Sequence, residues 1–445
     1  MPYNVSFISL GCAKNQVNCE QMMATVQHAG HNVVLSPEGA DVAVVNTCGF
    51  LASACEEAID NILEMAELKK EGKLKKIIVT GCMAQRYKDD VLHELPEVDA
   101  VLGTGSYGEI ARAVDEVMAP GGLRPCYMGD IQNCVQGGAR ILSTPSWYAY
   151  LRIAEGCNNF CAFCAIPLIT GNHKSRPIEE IEQEVRELVE KGVKEFNVIA
   201  QDLSAYGTDL PGRQQRLPEL VERLAKIDGV KWIRLHYAYP ASFPMDLLRV
   251  MRENDNVCSY IDIALQHSSD HMLSAMHRHI TAAETNVLLD EMRRQVPGLH
   301  IRTTLMVGFP GETEDDFKDL LRFVREERFE RMGAFAYCEE EGTFAANNYT
   351  DDVPEEVKQQ RLDKLMALQE EISLEIQQQK VGQELEVVID REEEEYYVGR
   401  TQWDSPEVDP EVLVEKTATM TPGNFYRVKI TQALPFELIA TPVTV

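Results

Sequence analysis

The chain has 445 residues, 44% apolar and 26% charged, enough for about three packed domains at ~150 residues each. Its 43 basic residues against 71 acidic ones leave a net charge of −28, a poor balance for general nucleic-acid binding, because phosphates ask for Lys and Arg. No apolar run approaches a membrane span, and the first ten residues lack the basic and apolar regions of a leader, so a cytoplasmic chain with no membrane contact is expected.

Strands are predicted at 3–10, 42–46, 76–80 and 99–102, alternating with helices at 16–29, 51–69, 84–92 and 107–118. This alternation implies an α/β domain over 1–118, a parallel sheet covered by helices. Residues 119–146 carry Pro, Gly and Ser without a sustained period and read as a linker. A second series follows, with strands at 150–154, 195–200, 232–236, 260–265, 300–306 and 332–337. Helices are predicted between them at 177–191, 218–227, 244–253, 282–295 and 313–327. Six βα units are too few for a closed eight-fold barrel and suit an open, partial one. With a long charged helix at 354–379, this domain spans 147–380. From 381 to 445 short β-rich runs (384–390, 396–401 and 425–431) with turns at Pro406, Pro410 and Pro422-Gly423 suit a small antiparallel barrel.

Twelve cysteines in a large chain without a leader point to metal or catalytic use rather than disulfides. Cys157-Asn-Asn-Phe-Cys161-Ala-Phe-Cys164 follows the first barrel strand. Three thiolates on one tight loop can ligate three irons of a [4Fe–4S] cube and leave the fourth open to a small molecule. The loop lies where barrel enzymes place their chemistry. A zinc site would want a fourth ligand, for which His173 is the nearest candidate. A second set is less obvious. Three first-domain strands run into Cys12, Cys48 and Cys82. Ligands collect outside the carboxyl ends of an open α/β sheet, so these thiols should converge as well. Independent burial is the alternative, and it is the reading for Cys19, Cys55, Cys126, Cys134, Cys258 and Cys338.

Two further patterns carry less. Gly103-Thr-Gly105-Ser-Tyr-Gly108 fits a dinucleotide fingerprint but follows the fourth strand and lacks the acidic residue downstream. His267, His271, His277 and His279 are dense but lack the spacing of a helical zinc site; only His267 is kept, as active-site lining.

With Cys12-Ala-Lys-Asn15, Asn46-Thr-Cys48-Gly-Phe50, Gly81-Cys82-Met-Ala-Gln85-Arg86, Tyr260-Ile-Asp-Ile-Ala-Leu-Gln-His-Ser268 and Gly308-Phe-Pro-Gly-Glu-Thr313, the cysteine loop resembles the radical-AdoMet methylthiotransferases over nearly the whole chain. That resemblance implies an α/β domain with an auxiliary cluster, a partial barrel with the AdoMet cluster, and a C-terminal TRAM barrel. It implies two [4Fe–4S] clusters as cofactors, with Cys157, Cys161 and Cys164 holding the cluster that binds and cleaves AdoMet. Cys12, Cys48 and Cys82 hold the one that carries sulfur, a second AdoMet supplies the methyl, and the methylthio group replaces a C–H hydrogen. It further implies that Phe163 packs on adenine and that Gln201, Asp202 and Arg302 contact AdoMet, the alternative being ordinary strand-end polar residues.

Two branches of this family modify transfer-RNA adenosines, and a third an aspartate of small-subunit ribosomal protein S-twelve. Leu151-Arg-Ile-Ala-Glu-Gly-Cys157, Gln201-Asp-Leu-Ser-Ala-Tyr-Gly207, Arg234-Leu-His-Tyr-Ala-Tyr-Pro240 and Trp403-Asp-Ser-Pro-Glu-Val-Asp409 resemble the third. Asn18-Cys19-Glu20 and Thr170-Gly171 depart from its pattern without touching a cluster thiolate. Residues 381–445 carry 13 acidic and 5 basic side chains, which suits a basic protein partner and disfavours transfer RNA. Trp403 and 404–409 are placed either on that contact or in a packed turn. An electron donor and a sulfide source are the other implied partners. A transfer-RNA methylthiotransferase, or a non-catalytic cysteine-rich metal-binding module for ribosome or RNA assembly, remain the alternatives.

Overall fold

The computed structural model describes residues 2–121, 124–133 and 137–443. The strands β1 (Asn4–Ser9), β2 (Asn32–Val34), β3 (Val42–Thr47), β4 (Lys76–Gly81), β5 (Ala100–Leu102) and β6 (Cys126–Tyr127) form one parallel sheet in the order β2-β1-β3-β4-β5-β6. Every residue of β3 and β5 is buried, as expected where helices cover both faces of a parallel sheet. One face packs Ile62, Met65 and Val79, the other Val26, Ile78 and Val114. The two edge strands were not predicted. The three residues of β2 and two of β6 are too short to show a period, and β6 lies inside the stretch read as a linker.

The second sheet takes β7 (Tyr148–Arg152), β10 (Glu195–Ile199), β11 (Trp232–Ala238), β12 (Val257–Ile263), β13 (His300–Val307) and β14 (Arg331–Ala336), all parallel and laid side by side in that order. A two-stranded ribbon, β8 (Ala154–Glu155) with β9 (Lys174–Ser175), flanks the cysteine loop. The sheet does not close, so six parallel βα units make a half-barrel. Alternate side chains separate its two faces. Phe196, Val198, Ile233, Leu235 and Ile261 join the core under the helices, to which the long helix Glu355–Gln378 adds Leu365 and Ile372.

The opposite face is covered by the other two parts of the chain. Ala13 and Val17, on the helix Ala13–His28, meet Tyr150, Ile199 and Tyr237 toward the carboxyl ends of the strands. Trp232, Cys258 and Tyr260 meet Val388 and Phe425 from the C-terminal part. That part is a closed barrel of β15 (Glu384–Glu392), β16 (Tyr396–Arg400), β17 (Glu411–Glu415), β19 (Glu437–Pro442) and β18 (Phe425–Ala433). The barrel expected from sequence is antiparallel throughout; in the structure β17 and β19 pair in parallel and close the ring. Buried ion pairs hold this seam. Glu195 pairs with Arg234 and Arg400, Asp390 with Arg400, and Asp404 with Arg331 at 2.5 Å.

Of Trp403 and 404–409, most side chains turn inward, while Glu407 and Val408 are exposed. Trp403 stacks on His300 at 4.5 Å between centroids. Asp404 is buried against Arg331, and Asp409 accepts from the Tyr260 hydroxyl at 2.7 Å. Asp404 and Asp409 are taken by Arg331 and Arg302 of the same chain, and Glu407 accepts from the Tyr148 hydroxyl. The exposed acidic run is instead Glu392–Glu395, at the turn between β15 and β16.

Candidate functional site

Strands β1, β3 and β4 are neighbours, and Cys12, Cys48 and Cys82 lie just beyond their carboxyl ends. The three loops are in contact. A Cβ on Gly11 would stand 2.7 Å from the Cys48 Cβ, and one on Gly49 would stand 2.8 Å from the Cys82 carbonyl carbon, so both positions need the missing side chain. Asn15 ties the loops together. Its amide donates to the Leu10 and Thr47 carbonyls at 3.1 and 2.9 Å, and its Oδ1 accepts from the Cys82 thiol at 3.6 Å. Cys12 precedes the first residue of one helix and Cys82 begins another. Burial pushes the Cys48 and Cys82 thiols up, reinforced by their neighbouring cysteines.

The second triad sits on the loop between the ribbon strands β8 and β9. The Cys157 amide donates to the Gly171 carbonyl at 3.2 Å. Ala162, in the middle of the loop, donates to the Met276 carbonyl and accepts from the Ala345 amide. Burial pushes Cys157 up to about 11 and Cys164 up to about 12, with Cys161 adding to both. Arg278, 3% exposed, donates to the Cys161 sulfur at 3.1 Å. Phe160, Tyr237, Gln266, His277 and His279 all have positive φ around these loops, backbone strain of the kind that clusters at functional sites.

Among the described residues no three His, Cys, Asp or Glu side chains close on the point one metal ion needs. An iron–sulfur cube differs, because each iron takes its own thiolate. Three thiolates apiece are the donor set of a cube with one open iron, whereas a structural zinc asks for a fourth ligand. His173 turns away, its Nε2 3.1 Å from Ser175 Oγ and 3.8 Å from Asp209.

Of the expected AdoMet contacts, Gln201 and Asp202 follow β10 directly. Gln201 donates to Glu155, and its buried Oε1 has no partner. Asp202 accepts from Asn159 at 2.9 Å and from the Ser204 amide at 2.8 Å; burial outweighs both and raises its pKa. It lines a cleft of about 750 Å³ with Asn159, Pro240, Phe243 and His279, a volume in the range of small-molecule sites. Phe163 is half-buried, edge-on to Phe309 at 6.5 Å. Arg302 is elsewhere. It is the third residue of β13, not a strand-end residue, and is held 3.3 Å from both Asp262 and Asp409.

His267 does not line an open site. It is fully buried, 3.1 Å from Glu312, and its Nδ1 accepts from the Ser268 and Ser269 amides. His271 pairs with Asp316, His277 lies against Phe344, and His279 faces the Asn159 carbonyl, so the four do not converge. The glycine fingerprint is a packing device. Gly105 lies against the Gly129 backbone, and Thr104 donates to the Ile169 carbonyl at 2.6 Å. Cys19 and Cys258 are buried, Cys55 is half-buried, and Cys126 and Cys338 are exposed; Cys134 lies outside the described residues.

Sequence reasoning gave no role to Lys14, Asn15, Tyr237 or Arg278. Lys14 and Asn15 stood inside a quoted motif, and Arg278 between two of the histidines. The Lys14 ammonium lies 3.8 Å from the centre of the Tyr237 ring. Burial opposes its charge, but Tyr237, Cys12, Glu155 and Asp262 outweigh burial and hold its pKa above the ordinary lysine value.

Residues 4–103 match the model described as Uncharacterized protein family UPF0004, 151–324 the Radical SAM superfamily and 381–443 the TRAM domain. The chain is 53% identical to the "Ribosomal protein uS12 methylthiotransferase RimO" of Phocaeicola vulgatus, over 98% of both chains. It is 53% identical to that of Parabacteroides distasonis and 51% to that of Porphyromonas gingivalis, again over 98% of both chains. Among solved structures, the radical S-adenosylmethionine methyltransferase TsrM of Kitasatospora setae, with cobalamin and a [4Fe-4S] cluster bound, shares the fold. Its TM-score is 0.58 at 13% identity, over 78% of this chain and 77% of that one.

Proposed function

The chain belongs to the RimO family of ribosomal protein uS12 methylthiotransferases, and from that membership we propose that it replaces a β-hydrogen of a uS12 aspartate by a methylthio group, using AdoMet and two iron–sulfur clusters. It is a radical AdoMet enzyme. The observation that carries the proposal is the meeting of the two thiol triads' surroundings. Arg152 donates to Asn18 and to Gln21 (2.9 Å), on the helix that begins after Cys12, and to Glu155 (2.7 Å), next but one to Cys157.

Cys157, Cys161 and Cys164 are read as holders of one [4Fe–4S] cluster, and Cys12, Cys48 and Cys82 of the other. With AdoMet, these groups supply the one-electron chemistry and the sulfur that side chains cannot. The chain's own residues do the rest. Arg278 fixes Cys161 by its hydrogen bond. Asp202 and Asn159 hold each other across the wall of the cleft, while the free carbonyl oxygen of Gln201 and the ring of Phe163 are left for AdoMet. Arg302 holds Asp262 through Nη1 and Asp409 through Nε, each at 3.3 Å, and its remaining Nη2 donors are read as its reach toward AdoMet.

The limits 1–118, 147–380 and 381–445, with 119–146 as linker, belong to the same reading. So do an electron donor, a sulfide source and a reducing cytoplasmic setting. All eleven described cysteines are unpaired, and among the described residues no helix is long and apolar enough to cross a membrane. The transfer-RNA and non-catalytic alternatives are not favoured, since the relatives compared are named for uS12.

The test is anaerobic incubation of the reconstituted protein with AdoMet and dithionite, offering uS12 and an isopentenylated transfer RNA in parallel. A gain of about 46 Da on the protein, CH₃S replacing H, is the expected result. The same gain on the RNA alone overturns the assignment.

A further inference from the structure

Two carboxylates that Lys14 feels, Glu155 and Asp262, are already committed. Glu155 accepts from Arg152 at 2.7 Å and from Gln201. Asp262 takes Arg302 at 3.3 Å and faces His236 at 3.7 Å. Asp409, on the other side of Arg302, is also taken by the Tyr260 hydroxyl. Among the described residues the Lys14 ammonium has no hydrogen-bond or ion-pair partner; it rests on the Tyr237 ring alone. Tyr237 presents that ring from a backbone held at φ +67°. Cys12, on the same turn, is exposed, so the place is open to an incoming chain. An ammonium among satisfied ion pairs calls for an anion, and the anion that the uS12 reading brings to this turn is the acceptor's carboxylate, whereas a neutral amide leaves the charge uncompensated.

We propose that the Lys14 ammonium takes the carboxylate of the acceptor side chain and so selects an aspartate over a neutral residue at the site of modification. This rests on the uS12 reading and adds a specificity-determining residue to it. Held there, the carboxylate places the adjacent β-carbon beside Cys12, on the side of the first triad.

The test compares binding of the full-length protein to uS12 and to a uS12 variant with the acceptor aspartate changed to Asn. Wild type should prefer the aspartate form by about tenfold or more, the scale of one charge-assisted contact. Lys14→Met, checked for unchanged circular dichroism and iron content, should bind both forms alike and raise KM for uS12. Lys14→Arg should restore most of the preference. Equal discrimination by wild type and Lys14→Met, or a Lys14→Arg variant as indifferent as Lys14→Met, overturns the proposal. A wild-type enzyme that modifies uS12 but binds both forms alike overturns the role of Lys14 alone. One that does not modify uS12 overturns the underlying reading as well.

Discussion

The barrel triad occupies eight consecutive residues of one loop, whereas Cys12 and Cys82 of the first-domain triad are 70 positions apart. The first is contiguous in sequence and is held in place by Met276, Arg278 and Ala345. The second exists only because β1, β3 and β4 are adjacent and in register. One can therefore be damaged without disturbing the sheet, while the other cannot be separated from the stability of its domain.

The largest effect should break the comparison on the local side. Changing Cys157, Cys161 and Cys164 together to Ala should leave about half the iron, abolish AdoMet cleavage, and with it all modification, while urea unfolding stays close to wild type. Iron analysis and detection of 5′-deoxyadenosine check this. Next, Cys12→Ala with Cys48→Ala should still cleave AdoMet but deliver no methylthio group; normal modification by this variant would refute the convergence of the three strand-end thiols.

Glu195 separates stability from cofactor loading. Burial works against its charge, yet Arg400 and Arg234 outweigh burial and pull its pKa from 4.5 down to about 2. A carboxyl whose folded value lies below its unfolded one stabilises above the unfolded value and loses that contribution as pH falls toward the folded one. The contribution is thus complete at neutral pH and lost between about 4.5 and about 2. Glu195→Gln should cost about 3–5 kcal/mol, because two buried arginines lose their shared partner, and should flatten the acid limb of a stability–pH curve with iron content unchanged. Asn15→Ala should cost less, about 1–3 kcal/mol for the stranded Leu10 and Thr47 carbonyls, but should lower iron content too. A stable Asn15→Ala variant with full iron would show that the first triad does not depend on the sheet in this way.

Six barrel strands and the local triad were legible in the sequence because each rests on contiguous chain, a βα period or a fixed cysteine spacing. The distant triad was legible because its cysteines recur at one topological position. The short edge strands β2 and β6 escaped, having no period to show. His267 misled, and Trp403 was left open between two readings, for one reason. A polar or aromatic residue near a strand end looks the same in sequence whether it faces a ligand or a neighbouring domain, and here Glu312 and His300 had claimed them. Lys14 and Tyr237 meet across 223 positions, and no local pattern in either segment reports the encounter.

The 70 positions spanned by the first-domain triad also bear on the order of maturation. A full-length chain refolding from denaturant closes a short loop more readily than a long one, so the thiols of the barrel loop, eight residues end to end, lie near one another before Met276, Arg278 and Ala345 fix them. Cys12, Cys48 and Cys82 come together only after three strands have paired, with Asn15 seated between them. In synthesis the order is reversed, because residues 12–82 are complete before Cys157 is made, so the first-domain thiols can meet before the barrel loop exists.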